Sequence, residues 1–482
     1  MTTMLLRRFH DDKLAQSSWM IGCQATGEAV VVDPNRSIEQ YLEAARGDGF
    51  EIVHVTETHI HADFVSGVRE LAGRTGATMY LSDEGGADWR YGFLADGRGV
   101  RLRDGDVFMV GNVKIRAVHT PGHTPEHLCF LVTDTLGADE PMGAFTGDFL
   151  FVGDVGRPDL LEKAAGVGGT MEASARQLFA SLQTFRELPD WLQIWPGHGA
   201  GSACGKSLGA VPQSTLGYEK RFNWAFGLDD EQAFVDAVLA GQPEPPKYFA
   251  HMKRINRDGP PVLGRLGRPA RISEDGLDTV LKEGGIVIDT RRAAAFGEGH
   301  VPGTLNIPLN RSFTTWAGWL IPYDRDFHLL VDEMHVDEAT RDLMLIGLDR
   351  VAGWFAPESV NAWAASGRPL ERLASTDTDS LAAGMGRGDV AVIDVRGRTE
   401  WEAGHLPGVP NIPLGFLADR LDEVPRDRPV VLQCRTGSRS AIAASLLQLH
   451  GIRDASNLMG GFVEWARSGR PVEKEAAVGV QR

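Results

Sequence analysis

Two segments in the second half of the chain repeat each other at a fixed spacing. Val287-Ile288-Asp289-Thr290-Arg291 recurs as Val392-Ile393-Asp394-Val395-Arg396, and Gly299-His300-Val301-Pro302-Gly303 recurs as Gly404-His405-Leu406-Pro407-Gly408. The offset is 105 residues in both cases (394 − 289 and 405 − 300). Solenoid units run to roughly 20–50 residues, so a repeat of this length is a duplicated domain. Strand-like and helix-like runs alternate within each copy, which calls for a parallel α/β sheet. At roughly 100–200 residues per domain, the 482-residue chain is then several cores in series. Breaker-rich stretches at Gln242-Pro243-Glu244-Pro245-Pro246 and Asp258-Gly259-Pro260-Pro261 close the first part, with a tail helix or connector between them. The expected layout is residues 1–258, 259–373 and 374–475, with a frayed tail at 476–482.

The first part carries chemistry where strands end. The β-branched run Ile52-Val53-His54-Val55-Thr56 leads into Glu57-Thr58-His59-Ile60-His61-Ala62-Asp63-Phe64. A run at 113–118 leads into Thr120-Pro121-Gly122-His123, one at 144–146 into Gly147-Asp148, and one at 193–195 into Pro196-Gly197-His198. His59, His61, Asp63, His123, Asp148 and His198 are thus metal-ligand candidates on separate loops at a sheet edge, where a rigid scaffold holds them. A single such histidine is ordinarily structural; an ordered set in this context is a metal site. Around it the spacing predicts strands at 19–23, 28–34 and 128–133, a helix over 37–46 capped by Ser37, and a helix over 65–75.

This ordered set resembles the metallo-β-lactamase superfamily over residues 1 to about 240, which implies an αββα sandwich. That superfamily has a histidine where this chain has Phe64, and it serves the second of two metals, whose other ligands are Asp63, Asp148 and His198. A phenyl ring cannot coordinate, so the resemblance points away from a two-metal hydrolase. The remaining set, His59, His123 and Asp148, is the two-histidine, one-carboxylate pattern of non-haem iron oxygenases. Thr58 to Asp63, Thr120 to His127, Thr146-Gly147-Asp148 and Gly156-Arg157-Pro158-Asp159 are similar to the persulfide dioxygenase branch. That similarity implies one Fe(II) per chain (zinc is the alternative), with His61, Asp63 and His198 orienting ligands and bound water. Arg157 is expected to fork onto a carboxylate of a persulfide substrate; the alternative is a salt bridge within its loop. Cys204 reads equally as a sulfur relay, its thiolate favoured by Lys206, and as a small buried residue.

At the other end, Pro429 to Gln433 reads as a strand and Ser440 to His450 as a helix, with Cys434-Arg435-Thr436-Gly437-Ser438-Arg439 between them. A helix N-terminus and two arginines favour the thiolate, which is the nucleophile. Four residues separate Cys434 from Arg439, one fewer than in cysteine phosphatases, which gives a smaller cradle. With Asp394-Val395-Arg396, Trp401 and Gly404 to Gly408, the loop resembles the rhodanese family over residues 376–472. The resemblance implies a persulfide on Cys434 and an anion held by Arg435, Thr436, Gly437, Ser438 and Arg439, with Asp394 and His405 bracing the loop. The middle copy has no cysteine, and Val331-Asp332-Glu333-Met334-His335 puts acid where the last copy has arginine. It reads as an inactive rhodanese-like spacer, docking or dimerisation module.

The net charge of −16 argues against nucleic-acid and anionic-membrane partners. Four widely spaced cysteines exclude a disulfide framework and suit a reducing, cytoplasmic setting. No signal peptide or spanning apolar run is evident. The expected partners are a small-molecule persulfide, O2, sulfite and thiosulfate, and a homo-oligomer is expected from family habit. Together the motifs imply a persulfide dioxygenase feeding sulfite to a sulfurtransferase. The rivals are a glyoxalase II-like thioester hydrolase and a sulfur carrier whose metal domain is vestigial.

Overall fold

The structure is a computed structural model that describes residues 4–475 except 98, 166–167, 203, 207 and 265–266; the expected tail at 476–482 lies outside the described residues. The chain divides into two compact units, Met1–Leu266 with Met344–Gly347 and Gly267–Leu343 with Leu348–Arg482.

The first unit contains two six-stranded sheets. One is built in order from β1 (Met4–Asp11), β2 (Gln16–Cys23), β3 (Glu28–Val32), β4 (Glu51–Thr56), β5 (Thr78–Ser82) and β6 (Gly99–Leu102). The other contains β7 (Val107–Val110), β8 (Val113–His119), β9 (Leu128–Asp134), β10 (Gly143–Gly147), β11 (Gln193–Pro196) and β12 (Ser214–Thr215). Alternate residues of a strand face opposite sides, and here the two sides meet different layers. Trp19, Ile21, Val30, Val32, Phe130 and Val132 meet between the sheets with Phe145 and Trp195. Met20, Ala29 and Val31 instead join Tyr41, Ala44 and Leu71 of the helices 39–48 and 68–75. On the far side, Cys129, Leu131 and Ala144 pack on Leu178, Leu182 and Phe185 of the helix 171–186. The layers are helix, sheet, sheet, helix, the expected αββα sandwich.

Two helices start later than their sequence suggests. The first begins at Glu39 behind Ile38, with no side-chain cap, because Ser37 is held in a turn by the Asn35 side chain, which accepts its N–H at 3.1 Å. The second begins at Val68, because Ser66 N–H donates to Asn256 at 2.9 Å and keeps the metal loop extended.

The second unit contains two four-stranded sheets. The first is ordered β14 (Leu305–Asn306), β13 (Ile286–Asp289), β15 (Phe327–Leu330), β16 (Val351–Phe355). The second is ordered β17 (Ala374–Thr376), β20 (Ala455–Leu458), β19 (Val430–Gln433), β18 (Ala391–Asp394). Pairing is parallel throughout both. The duplication is visible bond by bond. Asp289 takes a forked guanidinium from Arg291 as Asp394 does from Arg396. Asn306 and Asn411 each donate to two backbone carbonyls of their own copy. His300 stacks on Phe296 at 3.7 Å and His405 on Trp401 at 3.8 Å.

The helix Ser438–Leu449 is buried on every side from Ser440 to Gln448, as an all-round apolar helix must be. One side covers its own sheet. The other meets the cysteine-free copy, where Ser445 Oγ accepts Asn306 N–H at 3.2 Å; Phe416, in the helical turn 414–423 that precedes β19, meets Trp319 edge-on at 5.2 Å.

Candidate functional site

β4, β8, β10 and β11 end at the same edge of the sandwich and deliver the loops that bear His59, His123, Asp148 and His198. The ligand atoms of His59, His123 and Asp148 all lie within 4.8 Å of one another, and those of Asp63, His198 and Cys204 form a second such group. Asp148 Oδ2 is 3.9 Å from His59 Nε2, 3.5 Å from His123 Nε2 and 3.5 Å from His198 Nε2.

The imidazoles are held from behind. His123 Nδ1–H donates to the Arg157 carbonyl at 3.1 Å and His198 Nδ1–H to the Ala15 carbonyl at 3.1 Å. A carbonyl only accepts, so it fixes the proton on Nδ1 and turns the Nε2 lone pair inward. His59 Nδ1 lies 3.0 Å from Thr58 Oγ1, whose own proton goes to Asp33. Burial and the neighbouring histidines push His59 well below the ordinary imidazole range; burial lowers His123 too. Both are therefore neutral, as ligands must be. The two carboxylate oxygens of Asp148 and of Asp63 are buried and meet no hydrogen-bond donor among the described residues. A buried carboxylate without donors is costly unless a cation faces it, so this donor set fits a metal ion.

Backbone glycines let the loops close up. Gly147 has φ +47°, and a Cβ on Gly197 would stand 2.8 Å from Asp148 Oδ1. Phe64 is fully buried, its ring 4.3 Å from that of His61. His54 and His119 turn away onto the Met109 and Pro125 carbonyls.

His61 does not face Asp148. Its Nε2 lies 3.2 Å from Asp33 Oδ1, and although burial opposes the charge, Asp33, Glu57 and Asp63 raise its pKa to about 9. Asp33, Glu126 and His127 are positioning residues that the motif reading did not single out. Asp33 also accepts Thr58 N–H at 2.6 Å, Glu126 accepts Ile60 N–H at 2.8 Å, and His127 Nε2 accepts Asp148 N–H at 3.2 Å. Asp33 was detectable in principle, as an acid before proline at a strand end; Glu126 and His127 directly follow the His123 motif.

Two expectations are corrected. Arg157 does not present itself to a substrate: its guanidinium is fully buried and forks onto Asp159 at 2.8 Å, with the Pro243 carbonyl as a further acceptor. Lys206 does not activate Cys204: its ammonium donates to the Ala237 and Ala240 carbonyls. Burial, then Asp63 and Asp148, push the Cys204 thiol well up.

In the second unit, β19 hands Cys434 to a loop that closes at Gly437 (φ +100°) and enters the helix 438–449. Gly437 N–H points at Cys434 Sγ from 3.2 Å, and Ser440 Oγ is also 3.2 Å away. The single Ser440 proton is shared between that sulfur and Asn457 Oδ1, 2.6 Å off. Arg435, Thr436 and Ser438 are exposed. Arg439, expected as an anion ligand, instead forks onto Glu400 at 2.6 and 2.8 Å. Burial would raise the Glu400 carboxyl; the Arg439 fork outweighs it and holds that group below its usual range. In the middle copy the position of Glu400 is Ala295, and the short turn Glu333–His335 stands before the helix 336–345.

The metallo-β-lactamase superfamily profile matches residues 11–198, and the rhodanese-like domain profile matches residues 377–468. The crystal structure of a metallo-β-lactamase from Staphylococcus aureus subsp. aureus COL is 42% identical, with a TM-score of 0.67, covering 74% of this chain and 99% of that one. The chain belongs to the metallo-β-lactamase superfamily and carries a rhodanese-like domain. A hydroxyacylglutathione hydrolase of Rhodospirillum rubrum is 30% identical over 185 residues, 37% of this chain and 60% of that protein. The chain spans about three-fifths of the length of the first curated relatives it matches. The crystal structure of ETHE1 from Myxococcus xanthus is 26% identical, covering 54% of this chain and all of that one, with a TM-score of 0.43. Among the described residues no helix is long and apolar enough to cross a membrane.

Proposed function

We propose that the chain is a non-haem iron persulfide dioxygenase coupled to a sulfurtransferase. The observation that carries this reading is Phe64, buried against His61 where the superfamily places a second-metal ligand. It leaves His59, His123 and Asp148 as the complete triad. Bound there, iron(II) would supply the redox chemistry that lets O2 react with sulfur. The chain's part is to keep the two imidazoles neutral and the triad aligned through the Arg157 carbonyl, Thr58 and His127, while Phe64 keeps water from the side it covers. Overall, R–S–SH, O2 and water give R–SH, sulfite and two protons, the terminal sulfur being oxidised. In the last domain Cys434 accepts the terminal sulfur of a second persulfide and releases R–SH. Sulfite then attacks that sulfur, forming the S–S bond of thiosulfate and expelling the Cys434 thiolate towards Gly437 N–H and Ser440.

The test is anaerobic purification with metal quantification, then O2 uptake. About one iron per chain and uptake abolished by His59→Ala are expected; Cys434→Ser should spare uptake and raise sulfite over thiosulfate. Two zinc ions with thioester hydrolysis and no uptake would sink the reading. That outcome belongs to the second reading, a thioester hydrolase, favoured by the Asp63, His198 and Cys204 cluster beside the triad.

A further inference from the structure

With Arg157 closed in its ion pair, the acidic end of a carrier thiol needs another partner. The helix Tyr248–Asp258 offers one. Its buried face, Tyr248, Phe249, Met252 and Asn256, anchors it to the first unit. Ala250, Lys253, Arg254 and Arg257 fall at i, i+3, i+4 and i+7 and so share another stripe. A cationic stripe is ordinarily a solvated face. This one lines a half-open cavity of about 530 Å³, together with Ser174 and Gln177 of the helix 171–186 and with Trp89 and Pro125. The volume is that of a small-molecule site.

Two further observations bear on a ligand: the setting of Lys253 and the place of Pro125 in the wall. Lys253 lies with its ammonium 3.4 Å from the centroid of Trp89, which is itself buried. The charge is partly desolvated, and burial lowers the Lys253 pKa. On the metal-loop side, Glu126 accepts Ile60 N–H through Oε1, and its charge also acts on Lys253. Of the other charges here, Arg257 engages Asp258 and Arg254 engages His251, and Asp88 is a second carboxylate opposing Lys253. Cations gathered in one concavity of a chain with net charge −16 focus a local field for anions. Pro125, in the cavity wall, is two residues from His123 and one from Glu126, so the cavity adjoins the metal loop.

We propose that this cavity binds the acidic part of the carrier thiol, the carboxylates of a peptide thiol or the phosphates of a nucleotide thiol, so that its sulfur reaches the triad past Pro125. The proposal rests on the persulfide reading for its substrate, and its test does not require turnover. Binding of S-methylglutathione and of coenzyme A to the full chain is measured by calorimetry under argon, for wild type, Lys253→Gln and the Lys253→Gln/Arg254→Gln/Arg257→Gln variant. The triple variant is expected to weaken at least one probe tenfold or more, with a shallower salt dependence; Lys253→Gln should give part of that loss if the triple variant folds poorly. The probe affected tells carboxylate from phosphate recognition. In O2 uptake, the preference for an acidic over a neutral persulfide (that of mercaptoethanol) should fall by a similar factor. Unchanged binding of both probes in both variants overturns the proposal. So does lysine-dependent binding that fails to compete with persulfide oxidation. If no persulfide supports uptake yet binding depends on Lys253, the cavity stands and the dioxygenase reading falls.

Discussion

His61 Nε2 is 3.2 Å from Asp33 Oδ1, although the chain places it between two residues of the metal loop. The pair is fully buried, and Asp33 sits at φ +51°, a left-handed conformation uncommon for any residue but glycine. Asp33 gathers Thr58 N–H, Thr58 O–H and His61 on one carboxylate, so it sets where the whole loop stands.

A pH dependence follows for the metal-free protein. The His61 pKa is raised from 6.5 unfolded to about 9 folded. A raised pKa contributes stability that is full below about pH 6.5 and lost as the pH rises through about 9. The contribution is on the order of 3 kcal/mol. Denaturant unfolding at pH 6 and pH 10 should show wild type losing about that much more than Asp33→Asn, in which the pair is gone at both pH values.

Phe64→His tests the second metal position directly. The ring is fully buried, tilted against that of His61, and directly follows Asp63 of the second ligand group in the chain. Total metal bound per chain should rise from about one towards two. Unchanged stoichiometry with retained folding would mean that the position does not control metal number.

Arg157→Met separates a structural arginine from a substrate-binding one. Removing one partner of a buried pair costs about 3–5 kcal/mol, and both Arg157 and Asp159 are buried. A sharply lower denaturation midpoint is expected, with KM for persulfide unchanged in the folded protein. A raised KM at wild-type stability would restore the substrate role.

The packing between the two copies is equally open to measurement. A Cβ on Gly415 would stand 2.2 Å from Trp319, closer than atoms can approach without moving the indole. Gly415→Ala should destabilise the second unit by about 1–3 kcal/mol, and Gly415→Ala with Trp319→Leu should recover part of it, as read from thermal unfolding.

The strands and the ligand loops were legible because alternating apolar residues and His or Asp at strand ends are local signals. Met20 against Trp19 and Ile21 is readable from three residues. What escaped is set by distance in sequence. Asp33 reaches His61 across 28 positions, and Arg157 finds Pro243 across 86. Lys206 illustrates the same limit: two residues from Cys204 in sequence, it spends its protons on carbonyls 31 and 34 positions away. Ser37 had the composition of a helix cap, but the Asn35 side chain captured its N–H first.

The cysteine-free copy keeps Asp289 with Arg291, His300 on Phe296, and Asn306 across its backbone, while Ala295 stands where the other copy has Glu400. The two halves of the second unit thus share the bonds that shape their backbones, and they differ in the residues around the loop that bears Cys434 in one of them. The cysteine-free copy supports the other one, because its Asn306 N–H donates to Ser445 of the helix that follows Cys434. A domain that serves here as a support thus keeps a full sheet of its own, and its turn at Glu333–His335 is a place where a cysteine could be introduced by design.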